Sequence, residues 1–160
     1  MLLRLMTALA MGTACLSASA AQQDHSHHQM ISKPVATQVW SRAMPPTAPN
    51  GAVYLTLQNP GQPDRLTGVR TPRAGKAELH THVHEGEMMR MKQIESIELP
   101  ANGKVELKPG GGHVMLFELS EPLVAGERFP MTLEFERAGE VTIEVTIRDE
   151  APEASAHAHH

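Results

Sequence analysis

Residues 80–91, HTHVHEGEMMRM, put three histidines and three methionines into twelve positions of a 160-residue chain that holds ten of each. Imidazole and thioether are both neutral Lewis bases, so the chemistry such a cluster offers first is metal binding. His80, His82 and His84 alternate along the chain, and on a β-strand alternate residues point to one side. Gly86 follows them and reads as the turn. A single strand histidine is more often structural or merely exposed than a ligand, so a second segment has to be found before a site is argued. KPGGGHVMLFEL, residues 108–119, supplies one. Three consecutive glycines cost backbone entropy and add no core, which suggests a turn where backbone comes close to something. His113 and Met115 come directly after them, two apart and on one face of the next strand. The bland alternative has Met115 and Leu119 in the core and His113 capping the turn. Met88, Met89 and Met91 can each likewise be core or donor.

The elements around these residues read as strands. Eight short segments with apolar and polar residues in alternation recur between Pro/Gly punctuation: 36–44, 52–59, 65–71, 76–83, 105–109, 113–119, 131–136 and 140–148. The last is the clearest, with Val141, Ile143, Val145 and Ile147 on one side and Thr142, Glu144, Thr146 and Arg148 on the other. No stretch supports a long helix, and no repeat is visible. The expected architecture is an all-β, Greek-key sandwich or small barrel over residues 34–149.

The first twenty residues, MLLRLMTALAMGTACLSASA, have an early arginine, an apolar middle and a small-residue end, the build of a secretory signal peptide cleaved after Ala20. The apolar run is too short to span a membrane. Cys15 would be the acylated residue of a lipoprotein leader, but Gly12 stands where that signal normally has a leucine-like residue. Cleavage removes Cys15, the one cysteine, which excludes disulfides, thiolate metal sites and cysteine nucleophiles from the mature chain. It also removes Arg4, taking the formal charge from −4 to −5. An acidic exported domain is a poor nucleic-acid binder. Segments 21–33 and 150–160 are polar and poor in large apolar residues, a composition that predicts disorder.

Spacing and flanking words together resemble one family. His80, Met91, His113 and Met115, separated by ten, twenty-one and one residues, match the ligand signature of the PCu(A)C-type periplasmic copper chaperones. AELHTHVHEGEMMRM, LPANGKVELKPGGGHVMLFEL and FPMTLEFERAGEVTIEV are similar to that family's sequences over Val35 to Arg148. Glu87 stands where a second glycine is common and Gly112 where an aromatic is common, and neither is a signature ligand. The resemblance implies a cupredoxin-like β-sandwich, a Cu(I) site made of His80, Met91, His113 and Met115, and a periplasmic carrier without catalytic activity. It also implies an acceptor, either the copper-site subunit of cytochrome c oxidase or a Sco-type copper protein. The ligand set is chemically coherent: soft thioethers favour Cu(I) and imidazole suits copper in either oxidation state. Methionine, unlike cysteine, is not lost to disulfides in an oxidising compartment. Deprotonated imidazoles are required, so affinity falls as pH drops through the histidine range.

His82 and His84 lie outside the signature. The tails carry His25, His27, His28 and Met30 at one end and His157, His159 and His160 at the other, short tracts of a kind that bind metal. Imidazoles without a soft partner favour Cu(II), an auxiliary role weighed against solvated tails. Copper resistance or storage is the alternative physiology, and a monomer without stable membrane insertion is expected. A cupin-like metalloenzyme is the competing class, using His80, His82 and Glu87, then Gly103, Pro109, Gly111 and His113. It lacks one residue between Gly111 and His113, has Ile94 where a glycine is required, and leaves the methionines unexplained.

Overall fold

The computed structural model describes residues 32–152. The leader with Cys15 and Ala20, and the tail histidines, lie outside the described residues. Ten strands form in chain order: β1 (Val35–Arg42), β2 (Asn50–Gln58), β3 (Asp64–Arg70), β4 (Ala74–Glu85), β5 (Met88–Gln93), β6 (Ile97–Leu99), β7 (Lys104–Leu107), β8 (His113–Leu119), β9 (Arg128–Phe135) and β10 (Gly139–Arg148). No helix occurs among the described residues. All eight expected strands are present, with ends displaced by up to a few residues.

Neighbouring strands run β5-β4-β8-β2-β1-β10-β9-β3-β6, with β7 added beside β2. The β1–β10 pair is parallel and the remaining pairs are antiparallel, so the sheet is mixed. One apolar cluster joins the two halves of this path. Val53, Leu55 and Leu57 of β2, Leu79 of β4, and Val114 and Leu116 of β8 meet Leu66 of β3, Met131 and Leu133 of β9, and Val145 and Ile147 of β10. Fully burying a side chain of this size contributes about 1.5–3 kcal/mol. The alternation of β10 holds as expected: Val145 and Ile147 are buried, and Val141 and Ile143 pack against the cluster from its margin.

Two strands were not foreseen. β5, MMRMKQ, is exposed at all six positions, so it has no buried face to impose an alternation on its sequence. β6 is three residues long, below the length at which a period can be read. β5 is the end strand of the path, and Arg90 and Lys92 give that edge the charge that discourages pairing with another chain.

Candidate metal centre

The pleat of β4 sends Leu79 into the core and Glu78, His80 and His82 to the opposite side. Across the β4–β8 ladder His80 is opposite His113, and Glu78 is opposite Met115. Across the β4–β5 ladder Gln93, Met91 and Met89 are opposite His80, His82 and His84. Cross-strand partners share a face, so all of these residues line one side of the three-strand edge.

His113 is the buried end of this face, at 3% exposure, while Met91 is 52% exposed. The His113 Nδ1 lies 3.1 Å from the Gly111 carbonyl oxygen, and its Nε2 lies 3.2 Å from the Met91 Sδ. A carbonyl only accepts, so Nδ1 carries the proton and the neutral ring presents a lone pair at Nε2. Burial lowers the His113 pKa below its ordinary 6.5, as do the neighbouring His82 and His80, against an opposing contribution from the Gly111 hydrogen bond. A nitrogen lone pair and a thioether sulfur therefore face each other with no proton between them, an arrangement that a cation stabilises.

His80 shows the same feature. Its Nε2 is 2.9 Å from the Glu78 Oε2, and the carboxylate accepts that proton. Its Nδ1 is buried and has no partner. Glu78 is further held by the Lys76 ammonium, and its carboxyl is kept below the usual range first by the His80 hydrogen bond and then by that of Lys76. A carboxylate that fixes the tautomer of an imidazole and leaves the other nitrogen free is a recurrent support for metal-ligating histidines. The His80 and His113 ring centroids are 5.9 Å apart. Met115 sits two residues beyond His113 on the same strip, partly buried and outside the core cluster, unlike Met131, which is fully buried. His82 also donates from Nδ1 to the Gly111 carbonyl, at 3.2 Å, and its ring centroid is 5.3 Å from that of His113. Phe117 closes the face beside His80, and Tyr54, tilted against Trp40, closes it beside His113.

The glycine run has a partial explanation. Gly110 adopts φ +81°, a left-handed conformation that favours glycine. The group that comes close is the Gly111 carbonyl, approached by two imidazoles. A Cβ on Gly112 would have its nearest neighbour at 3.8 Å, so that position does not require glycine for space.

Sequence reasoning did not single out Glu78, the Gly111 carbonyl, Tyr54 or Phe117. Glu78 had a usable signal, since it precedes His80 by two residues and shares its face. The carbonyl had none.

A mixed, all-β domain with imidazoles and thioethers on one face of its edge has the form of a cupredoxin-like metal-binding sandwich. The family model described as "Putative lipoprotein LpqE-like" matches residues 35–147, and the chain belongs to this LpqE-like family. Solved structures similar to it include PCuAC domains, in agreement with the resemblance read from the sequence. A copper-bound PCuAC domain from PmoF2 is 30% identical with a TM-score of 0.64, covering 75% of this chain and 96% of that one. The Cu(I) form of DR1885 from Deinococcus radiodurans is 32% identical with a TM-score of 0.59, covering 82% and 87%. A Leifsonia xyli subsp. xyli protein that carries a lipoprotein name is 29% identical over 100 residues, which is 61% of this chain. The chain spans 60% and 58% of the length of the curated relatives it matches.

Proposed function

We propose that this domain binds Cu(I) through His80, Met91, His113 and Met115 and hands it to another copper protein. The observation that carries the reading is the His113 Nε2 facing the Met91 Sδ at 3.2 Å, with the ring proton held on the far side by Gly111. The orphaned His80 Nδ1 adds a second lone pair to the same face. Two neutral nitrogens with two thioethers select a soft monovalent ion over Zn²⁺ or Ca²⁺. Relatives solved as a copper-bound domain and as a Cu(I) form support the choice of metal. The cupin alternative finds no support here. Glu87 is exposed in the hairpin turn, and no three His, Cys, Asp or Glu side chains are grouped to hold a metal among the described residues.

The role is carriage without catalysis, and copper is the cargo. Thioethers bind weakly enough that an acceptor's ligands can displace them one at a time. The acceptor is a cytochrome c oxidase copper centre or a Sco-type protein, and the compartment is the periplasm. The lipoprotein name of a relative supports an exported chain, and no helix among the described residues is long and apolar enough to cross a membrane. The test is an anaerobic Cu(I) titration of the mature protein against a competing chelator, with X-ray absorption of the loaded form. One tightly held ion with sulfur and nitrogen neighbours is expected, and a shell of nitrogen and oxygen alone would overturn the reading. Mixing loaded protein with apo oxidase copper domain or apo Sco-type protein then separates delivery from storage, because a storage protein keeps its ion.

A further inference from the structure

The face that carries the proposed copper ligands continues past them. Beyond the His82–Met91 rung of the β4–β5 ladder lies a second pair of the same composition, His84 opposite Met89. Neither residue belongs to the proposed ligand set. Both are exposed, Met89 at 53%, so neither is there to fill the core. Three of the five exposed large apolar residues among those described, Met88, Met89 and Met91, are on this one strand. Met89 and Met91 point to the site face, while Met88, Arg90 and Lys92 point away from it. The site face of the hairpin therefore holds two consecutive rungs of one imidazole and one thioether each.

Opposed Cβ atoms in such a pair are about 5 Å apart, close enough for both side chains to reach one ion. Successive rungs on one face are roughly 7 Å apart along the strand. An ion at the outer rung is thus one short step from the Met91 sulfur. His82 stands at the inner rung with its Nδ1 proton committed to the Gly111 carbonyl, which leaves the Nε2 of its neutral ring as a further donor.

We propose that His84 and Met89 form an outer, two-donor subsite for a soft monovalent ion, through which ions are loaded into and released from the inner site by way of His82 and Met91. This rests on the copper-carrier reading and deepens it by naming the route. Two donors in open solvent bind more weakly than the inner set, as a relay point must if the ion is not to stop there. The passage is a ligand exchange with no change of oxidation state.

Ag(I), which is soft, monovalent and redox-inert, is the probe. In the mature protein labelled at methionine methyls and histidine rings, the first equivalent should shift the NMR signals of Met91, Met115, His80 and His113. A second, weaker equivalent should shift Met89 and His84. Met89→Leu with His84→Asn should abolish the second set of shifts, leave the first intact, and slow transfer of Cu(I) to a competing chelator several-fold at unchanged equilibrium affinity. Leucine keeps the apolar surface, so a merely sticky patch would show no change. Met88→Leu, on the opposite face of the same strand, should transfer at the wild-type rate. The proposal is overturned if wild type shows no shifts at Met89 and His84, or if the double variant transfers as fast as wild type. Absence of the first set of shifts would instead sink the inner-site reading, so the two failures are distinguishable.

Discussion

His113 and Met91, twenty-two residues apart in the chain, approach within 3.2 Å through the two atoms best suited to hold a soft cation, Nε2 and Sδ. Neither strand bearing them is paired to the other, since β4 lies between. The contact is therefore made over the top of β4, and His80 and His82 are the β4 residues beneath it.

Met115 and Met131 separate donor from packing. Met131 is fully buried in the core cluster and Met115 is not part of it. Leucine at either position conserves volume, so each variant should lose less than ~1.5 kcal/mol of apo stability. Cu(I) affinity, measured by chelator competition, should fall about tenfold or more for Met115→Leu, on the order of 1.4 kcal/mol per decade. Met131→Leu should leave affinity unchanged.

Glu78 should act on copper through His80. Replacing it with leucine removes the acceptor for the Nε2 proton, and loss of such a support typically lowers metal affinity about 10- to 100-fold. Long-range ¹H–¹⁵N correlation should show His80 as the Nε2–H tautomer in the wild-type apo protein and as a tautomer mixture in Glu78→Leu. A pure Nε2–H tautomer in the variant would assign that preference to something other than Glu78.

His113 should titrate below its ordinary 6.5, because burial disfavours the charged ring. A depressed folded-state pKa contributes stability that is fully present above the unfolded value and is lost as pH falls through the folded value. Apo stability should therefore decline below pH 6.5, and His113→Phe, which also fills an aromatic-sized site, should flatten that part of the profile. Ring-proton NMR gives the pKa directly, and denaturant melts at several pH values give the slope.

Gly110 and Gly112 should respond oppositely to alanine. At Gly110, φ +81° costs a residue with a Cβ roughly 1–2 kcal/mol. At Gly112 the nearest atom to an added Cβ is 3.8 Å away, and the change should be neutral or stabilising by about 0.4–1 kcal/mol through the unfolded chain. Urea melts of the two variants decide it.

The His-rich tails are tested by removal. If the tails hold Cu(II), deleting 21–33 and 150–160 should abolish Cu(II) binding and leave the Cu(I) site intact. Unchanged Cu(II) stoichiometry after both deletions would mark the tails as solvated only.

Strands with one buried face could be read from sequence, because burial stamps a period on them, as on Val141 to Ile147. The face shared by His80 and His82, and that shared by His113 and Met115, follow from the same period. What joins those faces does not. The His80–His113 register comes from strand pairing across thirty-three residues, and the role of the Gly111 oxygen depends on backbone geometry that no side chain encodes. β5 escaped because an exposed strand has no period. Any of its three methionines could be core or donor by residue type, with spacing favouring Met91 as donor, and the structure exposes all three.

The position of β5 at the end of the sheet bears on how the site moves. Met91 hangs on a strand paired along one side only, with no buried residue to anchor it, whereas His113 and Met115 sit on β8, flanked by β4 and β2. Exposed strands paired on one side are drawn from the part of a domain that opens locally at small free energy, and buried strands flanked on both sides from the part that opens at higher cost. An ion shared by Met91 and His113 fastens an exposed end strand to one flanked on both sides. Amides of β5 should then exchange with solvent quickly in the empty protein and slowly in the loaded one, so hydrogen exchange along that strand reports whether the site is filled.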